Sequence, residues 1–333
     1  MIKILFLFLF IICFYILLRL VKKRQFLLQQ KQKEEIPVVE TFYSISGAKN
    51  KSLPLNQYVI KSSFNTALNN SQQIDLGMVV NVLKKGCRFI DFEIYSVENI
   101  PTLGYSSSRN FSSIETGQKI TFDDLCKKIS TSAFSSPIPN STDPLFIHLR
   151  IKSKNLSILD KMAASIEDNL GPRVHRQKLN ADTLLSSLDN KIIFVVDISY
   201  IPDYTKNSTF TKFISLESSN SNQLSSTEDS ILLTSKKKPL ILTPDGKSIK
   251  DQKWLMVIPG FGINISDKNS NQFLNIIKWY GGNIVPFKFY QDDDGLQEYE
   301  NFFQYNGSTA FVPLTVAQQY LQNMDTKIED DLA

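Results

Sequence analysis

Apolar and polar positions divide the chain into an amino-terminal apolar run and a longer stretch in which two periodicities alternate. Ile4 to Leu18 is unbroken in apolar or aromatic residues, and Leu20 and Val21 extend the run past Arg19. That length spans a bilayer when Arg19 snorkels, so one transmembrane helix is predicted within residues 1–24. A cleaved signal peptide is the competing reading, but the run is longer than a usual signal core and no small-x-small cleavage site follows it. Lys3 precedes the run while Arg19, Lys22, Lys23 and Arg24 follow it. By the positive-inside rule that asymmetry puts the rest of the chain in the cytoplasm. Residues 25–52 read as a polar tether, with Pro37 stopping any extension of the membrane helix.

From residue 53 onward, strand-like runs at 57–65, 88–95, 145–151, 191–199, 254–259, 283–290 and 310–314 alternate with helical spacing. Leu76, Val79, Val80 and Leu83 show that spacing, as do Leu159, Met162, Ile166 and Leu170. The alternation predicts the α/β class and a (β/α)8 barrel of the TIM type over residues 53–325. Closure needs an eighth strand, at 213–217 or at 230–234. Residues 201–238, rich in Ser, Asn and Thr, read as a variable linker whose Lys236-Lys237-Lys238 is a solvated loop end. Residues 326–333 read as a fraying acidic tail.

The net charge of +4, with no basic run interleaved with aromatics, gives no nucleic-acid footprint. Cys13 lies in the apolar run and only Cys87 and Cys126 remain, which is no disulfide framework and suits a reducing compartment. Sequons at Asn69, Asn110, Asn140, Asn155, Asn207, Asn264 and Asn306 argue the opposite topology if glycosylated. They are read as compositional, several falling on or beside expected core strands. Gly260-Phe261-Gly262 lacks the residues of a phosphate loop and reads as a turn. Asp292-Asp293-Asp294-Gly295 lacks the spaced ligands of a calcium loop and reads as a helix start.

Chemistry enters at Ser62-Ser63-Phe64-Asn65-Thr66. This pentapeptide resembles the first motif of the phosphatidylinositol-specific phospholipase C X domain, Ser-Ser-His-Asn-Thr, with Phe64 where the family has its catalytic histidine. Leu55 to Ile60, Lys84 to Glu93, Pro144 to Arg150 and Lys191 to Phe194 resemble successive X-domain segments in the family's order. Beyond residue 200 the likeness is looser, with Trp279 to Phe287 similar to a late strand of the family's Y half. The resemblance implies a phosphodiesterase barrel in which X-like residues 53–200 and a Y-like remainder, 239–325, flank the linker.

Carried over position by position, the resemblance implies a degenerate site. The second catalytic histidine aligns with Tyr105, and neither an aromatic hydrocarbon nor a phenol replaces an imidazole as a base near neutrality. Of the calcium ligands of the family's eukaryotic branch, Asn65 is kept, Asp91 and Glu93 keep their charge, and the last aligns with Arg150. No cofactor is therefore expected. The two phosphate-holding lysines align with Val195 and Asp197. Arg150, Asp91 and Glu93 are expected to form either a bare anion site or a self-neutralised plug, and His148 is a candidate substitute base. The implied function is that of an inactive, membrane-anchored module, lipid-binding or structural, whose partners are membrane lipids including phosphoinositides. The alternatives are a calcium-independent phosphoric diester hydrolase built on His148, and a ligand-free scaffold of a virion or intracellular membrane.

Overall fold

The computed structural model describes residues 51–332 apart from 107–113, 118, 220–222, 239, 242, 244–248 and 261–266, and side chains as far as Asn323. The apolar run at 4–21 and all but the end of the tether lie outside the described residues. Among the described residues, no helix is long and apolar enough to cross a membrane.

The strands are β1 (Tyr58–Ile60), β2 (Ser62–Ser63), β3 (Phe89–Val97), β4 (Ile100–Gly104), β5 (Leu145–Ile151), β6 (Ile192–Asp197), β7 (Ile214–Ser219), β8 (Leu224–Glu228), β9 (Leu255–Ile258) and β10 (Phe311–Pro313). Between and after them run α1 (Leu76–Lys84), α2 (Phe122–Ser132), α3 (Ile158–Leu170), α4 (Ser208–Thr211), α5 (Asp229–Thr234), α6 (Phe273–Tyr280), α7 (Asp294–Tyr305) and α8 (Leu314–Leu332). Strands β2-β3-β5-β6-β7-β8-β9 form one parallel sheet in that order. Its two edges meet through Ile284, which bridges Met256 on one side and Ile60 on the other, and through Phe287, which bridges Ser63. The result is a curled α/β sheet of TIM-like form, as the alternating periodicities predicted.

Several expectations are corrected. The run at 283–290 is not a strand but these isolated bridges, since Pro286 lacks the amide that a continued ladder needs. Residues 230–234 lie in helix α5; the strand at 213–217 is present as β7, and β8 follows it. The 201–238 segment thus supplies two parallel strands as well as loop. The run at 310–314 yields β10, which pairs antiparallel with β1 rather than joining the parallel sheet. Strand β4 was not anticipated: Glu98 and Asn99, at φ 53° and 63°, make the tight left-handed turn that folds it back on β3. Helix α8 runs to Leu332, through the tail expected to fray. Asn69, Asn140, Asn155, Asn207 and Asn306 sit in turns or caps and not on core strands.

Side chains two apart on a strand share a face, and here that rule sorts the barrel interior into two zones. Toward the amino-terminal ends, Tyr58, Phe89, Phe146, Ile193, Trp254 and Phe311 belong to one buried apolar cluster. Two positions further along, the same faces turn polar: Asp91 and Glu93 follow Phe89, His148 and Arg150 follow Phe146, and Ser218 follows Leu216. The helices pack on the outside of the sheet through a second cluster that includes Val79, Leu125, Met162 and Ile166.

Candidate functional site

The loop after β2 is bonded to β3 and so places its side chains over the polar zone. Asn65 takes a left-handed φ of 44°, which Asn tolerates better than most residues, and its N–H donates to Asp91 Oδ2 at 2.9 Å. Thr66 N–H donates to the Asp91 carbonyl, and the Asp91 N–H returns to Thr66 Oγ1 at 3.0 Å. From α7, Tyr299 accepts from Ser62 N–H at 2.6 Å and donates to the Ser62 carbonyl at 3.1 Å, pinning β2 from outside.

Arg150 lies at the centre. Its Nε donates to Asp91 Oδ1 at 2.9 Å and its Nη2 to Asp91 Oδ2 at 2.6 Å, a two-pronged pair. Its Nη1 donates to Glu93 Oε1 at 2.6 Å, and Nη2 also reaches Asn65 Oδ1 at 2.6 Å. The Phe64 ring covers the guanidinium, with Cζ 4.4 Å from the ring centroid. Phe64 thus lies over the cation that Asn65, Asp91 and Glu93 share. The other Glu93 oxygen accepts from the Tyr95 hydroxyl at 2.6 Å and the Ser106 N–H at 3.2 Å, and pairs with Lys152 Nζ at 2.9 Å.

Beneath Arg150, His148 Nδ1 lies 2.8 Å from Asp91 Oδ1 and its Nε2 lies 2.8 Å from Ser218 Oγ. The order Ser218, His148, Asp91 is that of a hydrolytic triad, yet the three are 0, 1 and 1% exposed. Asp91 meanwhile is shared with Arg150 and the Asn65 amide. Val195 belongs to the apolar lower zone with Phe146 and Leu216, in register with His148 on the neighbouring strand. Asp197 is buried at the end of β6, where its Oδ1 accepts from Ser199 N–H at 2.9 Å, Ser199 Oγ at 2.6 Å and the Ser219 hydroxyl. Tyr105 is buried at the end of β4, its phenol pushed up to about 12 chiefly by burial.

Charge balance explains why such a cluster survives in a closed interior. Burial alone would raise the Asp91 carboxyl, but the Arg150 charge and the hydrogen bonds from His148 and Arg150 outweigh it and hold Asp91 well below the usual carboxylate range. Burial likewise disfavours the Arg150 cation, and Asp91 and Glu93 more than offset that, so it stays protonated. For Lys152 burial wins over the Glu93 charge, and its ammonium is held less firmly than in water. Two carboxylates face two cations, and the oxygens of both carboxylates are bonded.

The same geometry tests the calcium site that the family resemblance implies. Calcium takes six to eight oxygen ligands. Here Asn65 Oδ1, both Asp91 oxygens and Glu93 Oε1 all accept from the Arg150 guanidinium. These residues do not fit the ion. Among the described residues, no group of three or more His, Cys, Asp or Glu side chains is arranged to hold a metal.

The structure brings together Phe64, Asn65, Asp91, Glu93, His148 and Arg150, with Val195 an apolar neighbour in register with His148. Lys152 and Ser218 belong to the cluster and were missed. Lys152 shares the face of His148 and Arg150 by strand parity, a legible signal. Ser218 lay in a segment read as linker, where no signal pointed to it.

The profile of the phosphatidylinositol-specific phospholipase C X domain matches residues 51–197. No curated protein matches the sequence. Among solved structures, PLC21 of L. pealei aligns with a TM-score of 0.60 at 15% identity, over 79% of this chain and 37% of that one. PLC21 of S. officinalis aligns with a TM-score of 0.59, at the same identity and coverage of 15%, 79% and 37%. The chain thus spans little more than a third of the length of these relatives, and at such identity the likeness carries the fold alone. Together with the ordered motifs on β2, β3 and β5, the profile match assigns residues 51–197 to the X-domain family of phosphatidylinositol-specific phospholipase C.

Proposed function

We propose that the protein is a catalytically inactive phospholipase C-like barrel, held at a membrane by its amino-terminal apolar run and serving there as a structural, lipid-contacting module. The carrying observation is Arg150, whose guanidinium occupies the oxygens of Asn65, Asp91 and Glu93 under the Phe64 ring. A positioned acid or base is worth roughly 10²–10⁴ in rate, and both aligned histidine positions hold side chains that supply neither. The anionic Asp197 where a phosphate-holding lysine aligns adds repulsion toward a phosphoinositide headgroup.

The test is headgroup release from vesicles containing labelled phosphatidylinositol or its bisphosphate, with calcium or with chelator. No release above the protein-free rate is expected in either condition. Release that disappears in His148→Ala would overturn the reading and install the hydrolase alternative. That alternative is favoured by one observation, the bonded series Ser218, His148, Asp91, and it further requires Ser218 to react with a phosphonate ester probe.

A further inference from the structure

Three segments distant in sequence meet at the amino-terminal ends of β9 and of the closing segment at Ile284. Lys238 N–H donates to the Trp279 carbonyl, Lys250 N–H to the Ile241 carbonyl at 2.7 Å, and Gln252 Nε2 to the Gly281 carbonyl at 2.8 Å. Tyr280 donates its hydroxyl to the Ser235 carbonyl at 3.3 Å. These contacts bring the segments that carry Lys236, Lys237, Lys238, Lys250, Lys253 and Lys278 to one end of the barrel, with Lys237 and Lys278 both against Trp279. Within the described residues of the three segments, Asp251 is the sole acid. Lys236, Lys237, Lys238, Lys250 and Lys253 are exposed and form no ion pair among the described residues.

The face is also amphipathic. Trp279 is partly exposed and carries an ammonium on either hand, Lys237 at 5.4 Å and Lys278 at 5.2 Å from its ring. Ile241, 64% exposed, lies in the segment between Lys238 and Lys250, and its carbonyl accepts the Lys250 N–H. Cations with long apolar stems, an indole and a bare isoleucine are the side chains that settle at a headgroup boundary.

We propose that this face docks on an anionic lipid bilayer, with phosphates and carboxylates seated between the lysines and Trp279 at headgroup depth. Charge complementarity points to that occupant. Asn56, just before β1, donates to the Gln252 carbonyl at 2.9 Å, so the described chain begins at this same end of the barrel. The docking face lies at the opposite ends of the strands from the Arg150 cluster. The proposal rests on the membrane-held reading for proximity only, since its chemistry is that of the face itself.

Intrinsic fluorescence tests it directly, because the chain has only two tryptophans and Trp254 is 2% exposed in the barrel base. The full chain is reconstituted in vesicles of phosphatidylcholine alone, or mixed with phosphatidylserine, with bromine on the acyl chains as quencher. Trp279 is quenched in the serine-containing vesicles and recovers near 1 M salt, where the Debye length is about 3 Å. Each Lys→Gln change at Lys237, Lys250 or Lys278 lowers the docking constant about fivefold, from roughly 1 kcal/mol per cation. Equal quenching in both lipids, or none in either, overturns the proposal. So does quenching indifferent to the three substitutions, and so does docking to a polyacidic peptide without docking to vesicles. Failure of the anchor reading is distinct: alkaline carbonate then strips the chain from phosphatidylcholine vesicles, a result that leaves the lipid dependence of Trp279 separately readable.

Discussion

Replacing Arg150 by Met tests whether the interior cluster holds itself together. The change keeps much of the stem and removes the guanidinium, leaving Asp91 and Glu93 buried and facing each other without their shared cation. Breaking a buried pair by removing one partner costs about 3–5 kcal/mol. In a unit of this size roughly 2 °C of melting temperature accompanies each kcal/mol, so Arg150→Met melts about 6–10 °C below wild type at neutral pH. The pH dependence is more diagnostic. Folded Asp91 titrates below its unfolded value of about 3.9, so it contributes stability that is present above that value and is lost as pH falls through the folded one. Without Arg150, burial dominates and raises the carboxyl, so the folded variant takes up protons more readily than its unfolded chain and gains stability on acidification. The gap between wild type and variant is therefore widest near pH 7 and narrows toward pH 4. Neutralising one pair, as Asp91→Asn and Arg150→Met together, leaves Glu93 paired with Lys152 and regains most of the loss. Urea or thermal unfolding across that pH range measures all three proteins. A gap below about 1 kcal/mol, or one that does not change with pH, refutes the account of Arg150 as the neutralising plug.

Phe64→His restores no phosphatidylinositol hydrolysis, because the imidazole then stands against the Arg150 cation without its second histidine; headgroup release from labelled vesicles checks it. The same variant loses the ring over the guanidinium, worth up to about 2 kcal/mol when desolvated, and melts lower. His148→Ala strands the Ser218 hydroxyl and removes one of the two partners of Asp91 Oδ1, so it destabilises by about 2–4 kcal/mol in urea unfolding. Burial raises the Cys87 and Cys126 thiols above their ordinary range, so a maleimide labels both only after denaturant unfolds the barrel. Fast labelling of the native protein would contradict the packing described.

What the sequence determined by itself was whatever is local or periodic. Strand and helix spacing set the α/β form, and the ordered motifs from Ser62 to Arg150 set the X-domain likeness of residues 51–197, because alternation and side-chain type are written in neighbouring residues. Strand parity placed Asp91 beside Glu93 and His148 beside Arg150 on single faces. Which of those faces met, and at what register, was decided by the sheet: Asp91 stands opposite His148, and Glu93 opposite Arg150. Only that pairing turned the open choice between a bare anion site and a plug into a guanidinium with its carboxylates bonded. Ser218 was missed because it lies one position beyond the candidate strand at 213–217, and its partner His148 is 70 residues away in sequence. Pro286 hid the reverse error, where apolar alternation suggested a strand that the missing amide interrupts. Lys236-Lys237-Lys238 read alone as a loop end, because Lys278 lies about forty residues further along and shares the Trp279 ring with Lys237 only when the segments fold together.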